Sequence, residues 1–406
     1  MIYLVSLTVF SSVLLSLVAL LILLETKIVQ QGDVKIVIND DNDKSIKVPA
    51  GNTLLSALLN NGILLPSACG GKATCGTCKC WVDKGGGEIL PTELALVNRN
   101  ERLNNVRLSC QLKVKQDMKI RVPDDIFNIR KYNAVVVSNK SVATFIKELV
   151  LELDEGEKLD FKAGAYIQID IPEYEISYRD FDLAERFVEN WKRFGFTEIK
   201  AASDEPVFRA YSLANPPAEK DVLKFTIRIA TPPPDKLHLP PGVGSSFIFG
   251  LKPGNKVTLS GPYGDFFVKD TDREMCFIAG GAGMAPMRSH ILHQLLTVKS
   301  HRKMTFWYGA RSVQEMFYDD EFRELESRFD NFIYHVALSD SQPEDLWEGM
   351  TGYIHQCVYD NYLKNHEDPT EIEYYLCGPP MMLKSVQKML YDLGVEKEMI
   401  AYDDFG

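Results

Sequence analysis

Four of the chain's eight cysteines, Cys69, Cys75, Cys78 and Cys80, fall within twelve residues. The loop reads Ser67-Ala68-Cys69-Gly70-Gly71-Lys72-Ala73-Thr74-Cys75-Gly76-Thr77-Cys78, a C-x5-C-x2-C spacing, and Cys110 follows 32 positions later in Arg107-Leu108-Ser109-Cys110-Gln111. A cluster of two irons and two sulfides needs four thiolates converging from a loop that wraps it closely. Gly70, Gly71 and Gly76 let the backbone approach and aim N–H groups at the sulfurs, which stabilises the extra negative charge of the reduced state. Zinc is the competing occupant, but its usual signature is two separate CxxC pairs and only one is present. Buried free thiols are common singly, not four together beside glycines. Eight cysteines in 406 residues are also too sparse for a disulfide scaffold. The expected cluster ligands are therefore Cys69, Cys75, Cys78 and Cys110. Cys80, expected on the following strand, is read as structural, although its nearness to Cys78 leaves open which thiol ligates.

The flanking sequence gives this loop a setting. Residues 34–38 and 45–48 carry β-formers around Asn39-Asp40-Asp41-Asn42, which predicts a hairpin. Leu54, Leu55, Leu58 and Leu59 mark one face of a short helix with Asn52 or Thr53 as N-cap and Gly62 as its stop. Plant-type ferredoxins space their cysteines C-x4-C-x2-C with a distant fourth. This loop is one residue longer, and it resembles the adrenodoxin-like and bacterial variants of the ferredoxin fold.

From Asn133 onward strands are expected at 135–137, 146–153 and 166–171. Arg209-Ala210-Tyr211-Ser212, followed by Leu213-Ala214-Asn215, is the informative run. A strand alternates its faces, so Arg209 and Tyr211 point one way and Ser212 the other. Arginine can fork onto a pyrophosphate, tyrosine can stack on an isoalloxazine, and serine can hydrogen-bond flavin N5. An ordinary strand ending in a turn would look similar, but its companions sharpen the pattern. Arg228 lies on an expected strand at 225–230, and Gly242-Val243-Gly244-Ser245-Ser246 offers amides and hydroxyls at a helix start, a usual place for phosphate. Gly261-Pro262-Tyr263-Gly264-Asp265-Phe266 closes the segment as a turn. This order resembles the FAD-binding barrel of the ferredoxin–NADP reductase superfamily. Residues 173–208 exceed a minimal barrel and carry Tyr174, Tyr178, Phe181, Phe187, Trp191, Phe194 and Phe196. They read as a packed surface insertion, with a docking surface for another subunit as the alternative.

Residues 275–279 form an apolar run into Gly280-Gly281-Ala282-Gly283-Met284-Ala285-Pro286-Met287-Arg288. A strand feeding a glycine turn at a helix N-terminus is how parallel α/β domains cradle pyrophosphate, although this is GxGxxP rather than GxGxxG. Two further strands support it. One, at 305–308, leads into Gly309-Ala310-Arg311, suited to an adenosine half; the other, at 374–376, leads into Cys377-Gly378-Pro379-Pro380. Cys377 is either a small buried hydrophobe or, as the reductase resemblance implies, a neighbour of the nicotinamide. Phe405 in Asp403-Asp404-Phe405-Gly406 is either a frayed tail or, on the same resemblance, an aromatic that shields the flavin until nicotinamide displaces it.

Residues 2–24 contain no charged side chain, a span of roughly 35 Å as a helix and long enough for a bilayer core. No Lys or Arg precedes the run and Glu25-Thr26-Lys27 closes it, which favours a retained anchor over a cleaved signal peptide. Lys27 and Lys35 on its C-terminal side place the remainder in the cytoplasm. A net charge of -11 excludes nucleic acid as the main partner. That charge is uneven: residues 33–129 hold 13 basic against 11 acidic side chains, and residues from 130 onward hold 31 against 44.

The expected fold is multidomain α+β and α/β. It comprises a transmembrane helix at 1–25, a β-grasp 2Fe-2S ferredoxin domain at 33–127, an FAD-binding antiparallel β-barrel at 130–270 and an NAD-binding parallel α/β domain at 271–406. This order, carried by 107–111, 209–215, Thr231-Pro232-Pro233-Pro234 and 280–288, resembles the family of F subunits of bacterial Na⁺-translocating NADH:quinone oxidoreductases across essentially the whole chain. The resemblance implies a single-pass inner-membrane protein that takes hydride from NADH onto FAD. It then passes single electrons through the 2Fe-2S cluster to other subunits of a membrane complex, with quinone as the eventual acceptor. It implies Ser212, Cys377 and Phe405 at the reacting centre. For the cofactors it implies Arg209, Ala210, Tyr211, Asn215, Arg228, Gly244, Ser245, Ser246, Gly280, Gly281, Gly283, Pro286, Arg311, Gly378 and Pro379. The rival enzyme is a membrane-tethered NADH-dependent reductase feeding an oxygenase, and the rival from another class is a zinc-stabilised nucleotide-sensing scaffold.

Overall fold

The computed structural model describes residues 2–28 and 32–405. The chain divides into two compact units, Met1–Ile129 and Arg130–Gly406.

The first unit opens with helix α1 (Ile2–Ile28). Its side chains are described only at residues 6, 7 and 9–20, and all of those are exposed, Leu7, Phe10, Leu14 and Leu17 among them. Among the described residues no helix is long and apolar enough to cross a membrane. The anchor expected at 1–25 therefore rests partly on side chains outside the described residues. After it, β1 (Asp33–Ile38) turns through Asn39 and Asp40 into antiparallel β2 (Asp41–Pro49). Both turn residues have positive φ, 52° and 59°, the two-residue geometry whose twist matches a hairpin and which Asn and Asp tolerate best. The hairpin is tighter than expected, because Asp41 and Asn42 join the second strand. Helix α2 (Leu54–Asn60) is capped by Thr53, whose hydroxyl accepts from the Ser56 amide, and it buries Leu54, Leu55 and Leu58. The strands β3 (Lys79–Lys84), β4 (Val106–Leu108) and β5 (Met118–Arg121), with the short helix α3 (Arg99–Leu103) between β3 and β4, complete a sheet ordered β2-β1-β5-β3-β4. One parallel pair, β1 with β5, among antiparallel neighbours makes this a β-grasp sheet.

The second unit holds two further sheets. The strands β6 (Arg130–Ala143), β7 (Ile146–Leu153) and β8 (Tyr166–Ile171) precede a two-stranded ladder of β9 (Tyr174–Ser177) and β10 (Lys200–Ser203), which flanks helix α4 (Glu185–Arg193). Then come β11 (Val207–Ser212), β12 (Val222–Arg228), helix α5 (Val243–Gly250) and β13 (Lys256–Tyr263). Six of these strands run antiparallel in the order β11-β8-β13-β6-β7-β12, and the end strands β11 and β12 come together to close a barrel. The insertion's aromatics turn inward: Tyr178, Phe181, Phe187, Trp191 and Phe196 are buried together with Ile229 and Phe249 of the barrel. They form a small core of their own rather than an exposed aromatic face, which favours the packed insertion.

The last sheet is parallel throughout. It orders β17 (Met350–Thr351), β16 (Phe332–Leu338), β15 (Met304–Ala310), β14 (Met275–Gly280), β18 (Glu373–Cys377) and β19 (Ile400–Asp403) side by side. Helices α6 (Met284–Leu292), α7 (Asp319–Arg328), α8 (Ile354–Asn361) and α9 (Pro380–Asp392) pack on its two faces. The chain first builds outward from β14 to β17, then returns to place β18 on the other side of β14. That reversal opens a crevice at the C-terminal ends of β14 and β18, where ligands bind in open parallel sheets.

Candidate functional site

In the first unit the four expected ligands meet as two pairs. The Cys75 thiol donates to Cys69 Sγ at 3.3 Å, and Cys78 contacts Cys110. Cys69 and Cys110 give up their protons more readily than an ordinary thiol, because each is hydrogen-bonded by the thiol of its partner. Cys75 and Cys78 hold theirs more tightly for the same reason. Two pairs of adjacent thiols suit two metal ions with two thiolates apiece. The loop is tied internally: the Ser67 hydroxyl accepts from the Gly71 amide at 3.0 Å and the Thr77 hydroxyl accepts from the Ala68 amide at 3.0 Å. Cys80 lies instead within β3, fully buried opposite Arg107 in the β4 ladder, and burial pushes its thiol up to about 12.

Arg107 is the residue whose role was not legible from the motif. It is buried with Glu93, to which it donates at 2.7 Å, and its guanidinium also reaches the carbonyls of Gly86, Gly87 and Glu88. Glu93 in turn accepts from the amides of Leu90 and Leu108. The pair therefore pins the 86–93 loop to the strand that delivers Cys110.

In the barrel, β11 alternates as expected. A Cβ on Gly244 would lie 2.6 Å from both Arg209 Cγ and Tyr211 Oη, so only glycine lets the start of α5 settle against that face. Arg209, Tyr211 and Gly244 are thus brought together, with Ala210 between the first two. The hydroxyls of Ser245 and Ser246 do not point outward. Ser245 Oγ accepts from the Ala230 amide, and Ser246 Oγ donates to the Gly242 carbonyl at 2.7 Å while accepting from Tyr178 Oη at 2.7 Å. What this helix start offers an anion is its backbone amides. Arg228 ends β12 exposed. Asn215 uses its side chain inside the chain, donating to the carbonyls of Glu219 and Val222 and accepting from the Lys224 amide, so it shapes the turn after β11.

The opposite face of β11 carries Ser212, the residue expected at a reacting centre. Ser212 Oγ donates to Asp403 Oδ2 at 3.0 Å, and Asp403 is the ladder partner of Cys377 on β18. Burial raises the Asp403 carboxyl to about 6, with Asp265 and Asp404 adding to the rise and the Ser212 bond opposing it. Burial, followed by the charge of Asp403, holds the Cys377 thiol protonated. The glycine turn locks onto this place: a Cβ on Gly283 would lie 2.1 Å from the Cys377 carbonyl oxygen, and one on Gly378 would lie 3.0 Å from the Gly280 nitrogen. Gly280, Gly283, Cys377 and Gly378 therefore meet at the ends of β14 and β18, and Ser212 joins them through Asp403. Pro286 is buried in the first turn of α6, and Pro379 caps α9. Phe405 follows β19 at 49% exposure. Arg311 follows the end of β15, the neighbour of β14, and is exposed and paired with Asp340 at 2.9 Å. Asp403 is the residue that sequence reasoning missed; the signal available was an acid at the end of a strand just ahead of a terminal aromatic.

A buried arginine braces this site too. Arg288 on α6 donates to the Ala214 carbonyl at 2.8 Å and forks onto Glu321, with Tyr318 beneath its guanidinium; Ser289 donates to the Asn215 carbonyl. The helix that follows the glycine turn is thereby tied to the residues that follow Ser212.

Comparison with known proteins matches three segments of the chain to domain families. Residues 37–115 match the 2Fe-2S iron-sulfur cluster binding domain, 194–268 the oxidoreductase FAD-binding domain and 277–388 the oxidoreductase NAD-binding domain. A cytochrome P450 reductase from Amycolatopsis shares the fold, with a TM-score of 0.65 at 23% identity over 92% of this chain and 98% of that one. The F subunit of the Na(+)-translocating NADH-quinone reductase of Idiomarina loihiensis is 54% identical over 98% of this chain and 97% of its own length. Its counterpart in Neisseria meningitidis is 53% identical over 98% of both. With three matching domains in one order and identity above half along nearly the full length, the chain belongs to the family of F subunits of Na(+)-translocating NADH-quinone reductases.

Proposed function

We infer that this chain is the electron-input subunit of a Na⁺-translocating NADH:quinone oxidoreductase: it oxidises NADH at a bound FAD and forwards the electrons through a 2Fe-2S cluster. The observation that carries this reading is the convergence of Ser212, Cys377 and Asp403 in one crevice beneath the Gly280–Gly283 turn, in a chain that also pairs four thiols elsewhere. FAD supplies the exchange between a two-electron donor and a one-electron carrier.

The chain's own residues divide the remaining work. Residues 33–127 hold the cluster through Cys69, Cys75, Cys78 and Cys110; 130–270 bind FAD; 271–406 bind NADH. Arg209 and Tyr211 face the start of α5, the guanidinium suited to pyrophosphate and the ring to an isoalloxazine. Ser212 is held by Asp403 so that its oxygen stays at one point in the crevice. The interlocked turns at 280–283 and 377–379 offer backbone to a dinucleotide, and Cys377 stays a neutral, buried neighbour of the nicotinamide. Phe405 covers the flavin until nicotinamide arrives. The helix α1 anchors the chain in the bacterial inner membrane, with the domains from residue 33 onward in the cytoplasm. Its uncharged run at 2–24 supports that placement, as does the Na⁺ translocation named for the relatives, which presupposes a membrane.

Purified full-length protein tests the reading directly. It should show flavin bands plus broad visible absorption, both bleached by NADH, and should partition with membranes. Colourless protein that carries zinc overturns it. Copurification with an oxygenase instead of membrane subunits points to the rival reductase, which shares the domain order.

A further inference from the structure

The insertion at 173–208 touches both α5 and the loop that follows Arg311. At the flavin end, Tyr178 Oη donates to Ser246 Oγ and Tyr174 Oη donates to the Val243 carbonyl, both in the first turn of α5. Ile176 packs so closely on that helix that a Cβ on Gly250 would lie 2.1 Å from its Cδ1. At the other end, α4 meets the loop that follows Arg311. Gln314 Nε2 donates to the Arg186 carbonyl at 2.9 Å, and Asn190 Nδ2 approaches Gln314 Oε1 at 3.5 Å. A second connection runs through the β6–β7 turn. Trp191 Nε1 donates to the Thr144 carbonyl at 2.7 Å, while the amide and hydroxyl of Thr144 both bond Glu315. Between these ends lies the aromatic core, where the Trp191 ring packs against Phe145, Phe181, Phe196 and Phe249.

We propose that the insertion is a positioning strut that holds the 311–315 loop, on the adenosine side of the nucleotide crevice, at a set distance from α5 and thereby governs NADH affinity. The proposal rests on the reading of the second unit as an FAD- and NADH-binding module. One direct link, and a second relayed by Thr144, tie the half-buried Gln314 and Glu315 of this short loop to the same insertion. A loop beside Arg311 that is fixed before the dinucleotide arrives loses less freedom when it binds. Trp191 and Gln314 touch neither Ser212 nor Cys377, so they act through the loop and not on the reacting atoms.

The test compares full-length Trp191→Phe and Gln314→Ala with wild type, using NADH and ferricyanide as electron acceptor. Trp191→Phe keeps the ring but removes the donor to a buried carbonyl; Gln314→Ala removes the direct link. Each should raise KM for NADH about tenfold, while kcat stays within about twofold and flavin content is unchanged. Gln314→Lys, which restores a donor toward the Arg186 carbonyl, should recover most of the lost affinity. Arg179→Ala removes only an exposed ion pair with Glu198 on the insertion and should leave KM at the wild-type value. An unchanged KM in Gln314→Ala with flavin in place overturns the strut. So does a parallel fall of kcat and flavin content in both variants, which would mark the insertion as structural only. If the wild-type flavin is not reduced by NADH, the underlying reading fails and not the strut.

Discussion

The two units solve the same problem in opposite ways. In the first, the reactive groups lie close in sequence: three of the four paired thiols sit in one ten-residue loop, and only Cys110 comes from elsewhere. In the second, the hydrogen-bonded pair at the proposed reacting centre, Ser212 and Asp403, is separated by 191 positions, and Cys377 joins them only through the β18–β19 ladder. Each nevertheless relies on one buried arginine. Arg107 ties the 86–93 loop to the strand that delivers Cys110, and Arg288 ties the helix after the glycine turn to the residues after Ser212. A ligand set made of rare residues can be local and still specific. A site made of common residues gets its specificity from placement, so its bracing matters as much as its members.

If the first site depends on its local thiols, removing one should erase it without touching the second. Cys75→Ala should abolish the broad visible absorption of the cluster entirely, while NADH-to-ferricyanide activity through the flavin persists; loss of both together would mean the sites are not separable. The bracing arginines come next. Glu93→Ala leaves the Arg107 guanidinium buried without its carboxylate, a change that typically destabilises by about 3–5 kcal/mol. It should appear as early loss of cluster colour on titration with denaturant, with flavin fluorescence following its wild-type course. A cluster as stable as wild type would remove Arg107 and Glu93 from the account.

The smallest effect lies at the assembled centre and depends on pH. Burial first, then Asp265 and Asp404, lift Asp403 from 3.8 to about 6. Between those values the folded chain binds a proton that the unfolded chain releases, so the stability tied to this group falls as pH rises from about 4 to 6 and is level above that. Asp403→Asn should remove that slope from the unfolding midpoint. It should also flatten a step near pH 6 in the rate of flavin reduction by NADH, and Ser212→Ala should slow the same reduction by about tenfold or more, the worth of one buried hydrogen bond. A pH profile identical in Asp403→Asn and wild type would separate Asp403 from the reaction.

Much of this was legible before any coordinates. Thiols beside glycines, a strand feeding GxGxxP, and Arg209, Tyr211 and Ser212 on one strand are short-range patterns, set by local backbone periodicity and by the narrow chemistry of a few residue types. A helix cap at Asn52 or Thr53, a hairpin turning within 39–42 and the start of α5 followed from the same local rules. What sequence could not reveal is where common side chains finish. Ser245, Ser246 and Asn215 look like ligands in a string of letters, yet their hydroxyls and amide turn back on the chain, because buried polar groups take whatever partner the fold brings nearest. The insertion's aromatics likewise read as ambiguous until packing turned them inward. Sequence alone determined the order of modules and the residue types of each site, since those depend on neighbours along the chain. Tertiary structure alone decided that Asp403 holds Ser212, that Arg107 and Arg288 brace the motifs, and that the insertion spans α5 to 311–315. Those contacts join segments tens to nearly two hundred residues apart, a range over which no periodicity survives.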